Sequence, residues 1–313
     1  QIADLKLQID TIYENYKVAQ NPEITLEANP DDLSEEYLIE LSKIGINRLS
    51  IGIQSFFEDD LAMMNRAHNS VEAQKCLELA TQYFDNISID LIYGVPGMSN
   101  AQWQQNIETA LRFGVPHISS YALTVEPKTA LNTLIQKGKI DAPKDEVAEA
   151  HFQILVETLE KNGFIHYELS NFGKENYFSK NNSAYWLGKK YIGIGPSAHS
   201  YDGISRSWNV ANNALYLKAI QQNQLPNEKE ILSTADRYNE YIMTGLRTIW
   251  GVALDRIERE FGMDYLDYLI KQSEKFVKDE LLAIENNILK PTSKGKFLTD
   301  GIASDLFYIN LEV

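Results

Sequence analysis

The chain has 313 residues, of which 44% are apolar, and its 29 basic and 44 acidic side chains give a net charge of −15. This composition is typical of a globular protein with a sizeable core, and the excess of acid disfavours a nucleic-acid partner. The chain has one cysteine, Cys76, no run of about 20 apolar residues and no signal peptide, so we expect a soluble cytoplasmic protein without internal disulfides or transmembrane segments.

Strand-like and helix-like patterns alternate from residue 1 to about residue 170. The predicted strands are residues 23–28, 48–53, 86–94, 117–124 and 164–169. The predicted helices are residues 34–44, 70–84, 100–113 and 145–161. Repeated β-then-α units predict a parallel sheet with right-handed crossovers, and we expect an α/β fold built as a partial (βα) barrel.

The pattern changes in the second half of the chain. Residues 171–210 are rich in Gly, Asn and aromatic residues and predict connecting loops, whereas helical spacing returns at 233–249. Residues 286–299 predict two short strands around a Pro/Gly turn, followed by a short helix. We therefore expect a barrel domain with its loops at 1–210 and a small, helical, winged-helix-like domain with a hairpin at 211–313. Fold analogy alone does not make that domain a DNA-binding one.

Three predicted strands place apolar side chains on one face and polar or small ones on the other. The polar faces carry Glu27, Gln54 and Asp90. Helices must cover the apolar faces, so the polar faces point into the barrel, where Val, Ile and Leu are usual. Unpaired buried carboxylates are costly, so we expect a polar, cationic ligand there. The alternative is internal pairing, for example of Glu27 with Arg48.

Four stretches resemble a known family: LEANPDDL (26–33), GINRLSIGIQSF (45–56), MNRAH (64–68) and ISIDLIYGVPG (87–97). The chain resembles, over nearly its whole length, the oxygen-independent coproporphyrinogen III oxidase family of radical S-adenosylmethionine enzymes. The resemblance implies a partial TIM-like barrel that binds S-adenosylmethionine, and a small helical C-terminal domain.

The same resemblance implies which residues line the S-adenosylmethionine site: Glu27, Gln54, Arg66 and Asp90. Carboxylates suit the positive groups and hydroxyls of this ligand, and an arginine can bind its carboxylate bidentately. A glutamine amide can both donate and accept hydrogen bonds. Gly52 would let a bulky ligand approach the backbone.

The family also holds a four-iron, four-sulfur cluster on a CxxxCxxC motif, which this chain lacks. The chain begins at Gln1 inside an amphipathic helical pattern, so we expect the cluster-binding segment to lie upstream and only the intact protein to carry the cluster. Cys76 lies on the apolar side of a predicted helix, where packing is a more common role than ligation.

Three further stretches resemble the HemW-type heme chaperone branch of the family: HYELSNF (166–172), NNSAYW (181–186) and GIGPSAHS (193–200). This resemblance implies binding of heme and its transfer to an acceptor protein. The middle stretch matches a His-Asn-x-x-Tyr-Trp heme motif, except that Asn181 replaces the histidine. The heme or porphyrin candidates are Tyr185, Trp186 and His199.

These stretches also allow other interpretations. His166 is a weaker candidate for the iron ligand, and either histidine can instead be a hydrogen-bonded structural residue. The family's oxidase branch removes two propionate carboxyls from coproporphyrinogen, which is one alternative function. A catalytically inert barrel that only binds its ligand is another.

Overall fold

The computed structural model describes residues 2–309. The chain divides into two compact units, Gln1–Phe178 and Ser179–Val313. The boundary predicted between residues 210 and 211 falls inside the second unit, and as a domain boundary it stays a prediction. Within residues 2–309, no helix is both long enough and apolar enough to cross a bilayer.

The first unit is built on a six-stranded sheet. Its strands are β1 (Thr25–Ala28), β2 (Arg48–Gln54), β3 (Ile87–Tyr93), β4 (His117–Ala122), β5 (Ile165–Glu168) and β6 (Asn171–Gly173). Their order across the sheet is β1-β2-β3-β4-β6-β5, and β1 to β4 pair in parallel. The predicted parallel β-then-α arrangement is therefore confirmed for the first four strands.

The fifth predicted strand is not a parallel neighbour of the fourth, so that part of the prediction is wrong. β6, in a segment predicted as loop, lies between them and pairs antiparallel with both β4 and β5. Only two residues connect β5 to β6, and so short a connection can form only an antiparallel hairpin. The Glu168 carboxylate closes this turn by accepting hydrogen bonds from the Ser170 backbone N–H and the Asn171 side chain.

Helices connect most of these strands. They are α1 (Ile2–Asn15), α2 (Glu35–Lys43), α3 (Glu58–Met63), α4 (Ser70–Tyr83), α5 (Asn100–Arg112), α6 (Ala130–Gln136) and α7 (Asp145–Lys161). α4 and α5 begin with capping boxes, formed by Asn69 with Glu72 and by Ser99 with Gln102. Ser34 caps α2 in a similar way, whereas α7 has no side-chain cap. All four predicted helices agree with the structure to within one residue at each end, and for three of them a local cap marks the start.

The strand faces agree with the predicted alternation. Leu49, Ile51 and Ile53 of β2 are fully buried, as is Ile89 of β3. In the register of the sheet, Glu27 lies beside Ser50, Ser50 beside Ser88, and Asp90 beside Ser119. Since neighbouring in-register side chains lie on the same side of a sheet, the polar residues of four strands share one face.

The second unit contains two three-stranded antiparallel sheets. One is formed by β7 (His199–Tyr201), β8 (Ser205–Asn209) and β9 (Asn227–Ile231), and the other by β10 (Val252–Ala253), β11 (Leu282–Glu285) and β12 (Ile288–Pro291). The helices are α8 (Lys180–Trp186), α9 (Asn213–Gln221), α10 (Thr234–Leu246), α11 (Leu254–Phe261), α12 (Met263–Lys278) and α13 (Thr299–Asp305). The core is centred on Tyr238 and Ile242 of α10.

Two predictions for this unit are wrong in detail. The segment predicted as loops contains α8, β7 and β8, which are too short and too polar to give a clear periodic signal. The hairpin is β11–β12, and its turn is Asn286–Asn287, both with positive φ (51° and 64°), not the Pro/Gly segment. Asparagine tolerates this left-handed conformation, whereas Pro291 ends β12.

Candidate functional site

The end of β2 carries a close cluster of polar groups. The β2–β3 register shifts between Ile51 and Gln54, and Gln54 itself has a positive φ of 67°. A Cβ atom added to Gly52 would lie 2.9 Å from Gln54 Nε2 and 3.2 Å from Arg66 Nη2. The absence of a side chain at Gly52 therefore lets an amide and a guanidinium lie directly against the strand backbone.

Arg66 is the cation of this cluster. Its Nη2 donates to Asn29 Oδ1 at 2.6 Å and to the Gly52 carbonyl oxygen at 3.3 Å. Among residues 2–309 no carboxylate lies within ion-pair distance of its guanidinium. A guanidinium has five N–H donors, so Arg66 has donors left for the carboxylate of a ligand.

Asp90 is the carboxylate of the cluster. Burial raises its pKa to about 6, and the negative charge of Glu27 adds to the effect. The neighbouring Ser119 hydroxyl and the charges of Arg48 and Arg66 act in the opposite direction. At pH 7 most Asp90 side chains are therefore ionised, in surroundings that suit a cationic or hydroxyl-bearing ligand.

The structure thus brings the four residues predicted to line the S-adenosylmethionine site into one cluster: Glu27, Gln54, Arg66 and Asp90. One expectation needs correction, because Glu27 is exposed rather than buried. The alternative pairing of Glu27 with Arg48 does not occur among the described residues. Arg48 is 4% exposed, and its Nε has no hydrogen-bond partner.

Sequence reasoning missed a buried network beside this cluster. Ser88 Oγ lies 2.7 Å from His117 Nδ1, and His117 Nε2 lies 2.8 Å from the Tyr167 hydroxyl. Burial lowers the pKa of His117 to about 3, and the charge of Arg48 acts in the same direction, so the ring is neutral at physiological pH. The alternation of side chains along β4 could have predicted this network, because it puts His117 and Ser119 on the polar face of the sheet.

The described residues do not fit an iron–sulfur cluster. Cys76 is buried in α4, as expected, and burial raises the pKa of its thiol to about 12. A thiolate is the form that binds metal. In the described part of the chain, no three His, Cys, Asp or Glu side chains are placed to hold a metal ion.

The substitution Gly52→Ala tests the cluster at the end of β2. The new methyl group would displace Gln54 and Arg66, and we expect S-adenosylmethionine to bind about 10-fold more weakly. The fold should persist, because both displaced groups are the ends of flexible side chains. Isothermal titration calorimetry measures the affinity. Gly301→Ala, which meets no atom within 4 Å, is the matched control. Unchanged affinity in Gly52→Ala would contradict the assignment.

A separate cavity of about 670 Å³ lies within the second unit. Its size is in the range of small-molecule sites. One wall is aromatic and is formed by Tyr185, Trp186, Tyr191 and Tyr201. The ring centroid of Tyr185 lies 5.2 Å from that of Trp186 and 5.9 Å from that of Tyr191, and the centroids of Tyr191 and Tyr201 lie 6.1 Å apart. Neighbouring rings are tilted by 84°, 43° and 37°, so a planar ligand can stack on one ring of this wall rather than on all four.

The helix α10 forms another wall. The cavity is lined by residues 236, 237, 239, 240, 241, 243 and 244 of α10 and by Arg247, which follows the helix, whereas Tyr238 and Ile242 enter the core. The guanidinium of Arg247 lies 5.0 Å from the centre of the Trp186 ring. This cation–π contact holds Trp186 in place.

Only two of the three predicted heme candidates line the cavity. Tyr185 and Trp186 line the cavity, but His199 does not; it is exposed in β7, with its ring 6.2 Å from that of Trp208. His166 lies in the first unit, stacked on Phe172 at 4.1 Å, with Nε2 3.0 Å from the Leu169 carbonyl oxygen. These contacts fit the interpretation of His166 as a hydrogen-bonded structural residue. The roles of all three heme candidates stay predictions.

Two family models each match part of one unit. Residues 3–110 match the model of the Radical SAM superfamily, and residues 232–298 match that of the HemN C-terminal domain. The chain is 36% identical over 279 residues to the heme chaperone HemW of Bacillus subtilis, covering 88% of this chain and 73% of that protein. It is 33% identical to HemW of Lactococcus lactis, covering 90% and 76%.

A solved structure shares the fold. Coproporphyrinogen III oxidase (HemN) from Escherichia coli superimposes with a TM-score of 0.82 over 98% of this chain and 74% of that chain. The identity is 20%, so this likeness concerns the fold alone. It confirms the predicted radical S-adenosylmethionine fold class with a parallel sheet and a helical C-terminal region.

Proposed function

Because the chain belongs to the HemW family of radical S-adenosylmethionine proteins, we propose that it is a chaperone that binds heme and passes it to acceptor proteins. The observation that carries this proposal is the alignment with relatives named heme chaperones, which extends over about nine tenths of the chain. The aromatic cavity of the second unit supports it, because two of its wall residues, Tyr185 and Trp186, belong to the stretch that resembles a heme motif.

The proposal includes binding of S-adenosylmethionine in the first unit. Arg66 would hold the carboxylate of the ligand, Asp90 and Glu27 its positive groups or hydroxyls, and Gln54 a further polar group. Two observations support this assignment: no carboxylate of residues 2–309 lies within ion-pair distance of Arg66, and Gly52 lets Gln54 and Arg66 lie against the strand backbone. The family also implies a four-iron, four-sulfur cluster, but no part of the proposal for this chain depends on one.

The proposal places heme in the cavity of the second unit, against Tyr185 and Trp186. Stacking on aromatic rings is a common way to bind a planar ligand. The residues that line the cavity include no histidine. A heme bound there would therefore take any iron ligand from another residue type, such as a tyrosine.

The experiment that tests the proposed function is a titration of the protein with hemin, followed through the Soret absorption band. We expect a saturable shift of the band at one heme per chain. A parallel anaerobic assay with S-adenosylmethionine, a reductant and coproporphyrinogen tests the oxidase alternative. Absence of a Soret shift together with consumption of coproporphyrinogen would replace the chaperone function by the oxidase one.

A further inference from the structure

The cavity of the second unit is lined by four arginines, and three of them are paired. Arg206 contacts Glu240 at 2.7 Å, and Arg247 contacts Asp300 at 2.6 Å. Arg256 contacts Glu260 at 3.0 Å and also lies 4.1 Å from the centre of the Tyr241 ring. The positive charge of each of these three side chains is thus already balanced by a neighbouring carboxylate.

Arg237 differs from the other three. No carboxylate of residues 2–309 lies within ion-pair distance of its guanidinium. Its Nε is buried and has no hydrogen-bond partner, and its Nη2 makes one long contact, at 3.4 Å, with Thr234 Oγ1. Leaving a buried donor unsatisfied is costly, so this guanidinium is suited to receive an anion.

Other lining residues restrict where an anion can bind. Glu230, Asp236 and Glu240 also line the cavity and would repel a carboxylate that approached them directly. Arg237 lies close enough to the aromatic wall for its charge to act on Tyr201, where it opposes the burial that raises the pKa of that hydroxyl. An aromatic surface and one unpaired cation are therefore presented to the same ligand.

We propose that Arg237 binds a carboxylate of a planar, aromatic, carboxylate-bearing ligand, such as a propionate of a tetrapyrrole, whose ring system stacks on the aromatic wall. A guanidinium can hold a carboxylate through two parallel hydrogen bonds, which would satisfy the buried Nε. This inference rests on the proposed function and deepens it, because it makes the side-chain carboxylate, and not only the ring and its iron, a determinant of recognition.

The test compares ligands as well as variants. Hemin, iron-free protoporphyrin IX and protoporphyrin IX dimethyl ester are titrated into the protein, the iron-free ligands by their fluorescence. We expect Arg237→Gln to weaken hemin and protoporphyrin IX binding about 10-fold or more, and the ester to bind the unaltered protein as weakly. Arg237→Lys should restore part of the affinity. Arg259→Gln, at an exposed arginine outside the cavity, is the matched control.

The outcomes distinguish this inference from the proposed function. Suppose that hemin binds the unaltered protein and Arg237→Gln equally well, and that the ester binds like the free acid. That result would refute the binding of a ligand carboxylate by Arg237 but would leave the proposed heme binding supported. If hemin does not bind the unaltered protein, the proposed function fails and this inference fails with it. The ester arm uses the unaltered protein, so a folding defect in a variant cannot decide the result.

Discussion

Replacement of Asp90 by asparagine is expected to stabilise the protein at pH 7 and to weaken its binding of S-adenosylmethionine. Burial and the charge of Glu27 raise the pKa of Asp90 from its ordinary value of 3.8 to about 6. The ionised carboxylate is therefore unfavourable in the folded protein without a ligand. Asparagine has a similar shape and no charge, so it removes this cost together with the charge that we propose binds the ligand.

The pH dependence follows from the direction of this shift. Because the folded pKa is above the unfolded one, the stability that Asp90 contributes is fully present below about pH 4 and is lost as the pH rises through about 6. At pH 7 the ionised form costs on the order of 1–3 kcal/mol. The gain in Asp90→Asn should have this size at pH 7 and should disappear near pH 4.

Urea denaturation at pH 7 and pH 4 gives the free energies of unfolding, and calorimetric titration gives the affinity for S-adenosylmethionine. We expect Asp90→Asn to lower that affinity by about 10-fold or more, as for the loss of a hydrogen bond to a charged group. Asp141→Asn, in an exposed loop, is the control. A variant that is less stable at pH 7, or that binds the ligand unchanged, would contradict the role of Asp90.

The double substitution Tyr185→Ala, Trp186→Ala is expected to reduce the affinity for hemin by about 100-fold. Both side chains belong to the aromatic wall of the cavity, and each stacked ring contributes about 1–2 kcal/mol. The loss of Trp186 also removes the ring over which Arg247 lies. Both side chains are only partly buried, so the fold should tolerate their removal.

A Soret titration measures this effect. Trp250→Phe is the matched control, because Trp250 is a partly buried tryptophan of the same unit that does not line the cavity. The control should bind hemin within about twofold of the unaltered protein. Equal loss of binding in the control and in the double variant would indicate a general defect of the unit. Unchanged binding in the double variant would show that heme does not bind in this cavity.

The first sheet could be predicted because its signals are local. The alternation of Leu49, Ile51 and Ile53 with polar residues follows from the period of a strand, and capping residues mark the helix starts. The strand period also placed Glu27, Gln54 and Asp90 on the polar faces, whereas Arg66 and the identity of the ligand came from the resemblance. The register shift at Gln54 could not be predicted, because it depends on pairing with β3, which lies more than 30 residues further along the chain.

The cavity of the second unit could not be predicted, because its walls come from distant segments. Sequence reasoning singled out Tyr185 and Trp186, but it gave no sign that residues of α10 would lie opposite them. The helical spacing of α10 was visible, yet only its apolar side was interpreted. That Arg237 has no ion-pair partner is a property of the three-dimensional arrangement, since pairs such as Arg206 with Glu240 join residues far apart in sequence.

If this chain delivers heme, as we propose, it should transfer bound heme to an acceptor protein. The protein is loaded with hemin, freed of excess ligand, and mixed with apomyoglobin, and the spectrum of holomyoglobin is followed with time. We expect heme to leave the protein and the holomyoglobin spectrum to appear at a rate above that of heme release into buffer. A protein that takes up no hemin, or that keeps its heme in the presence of the acceptor, would contradict the claim.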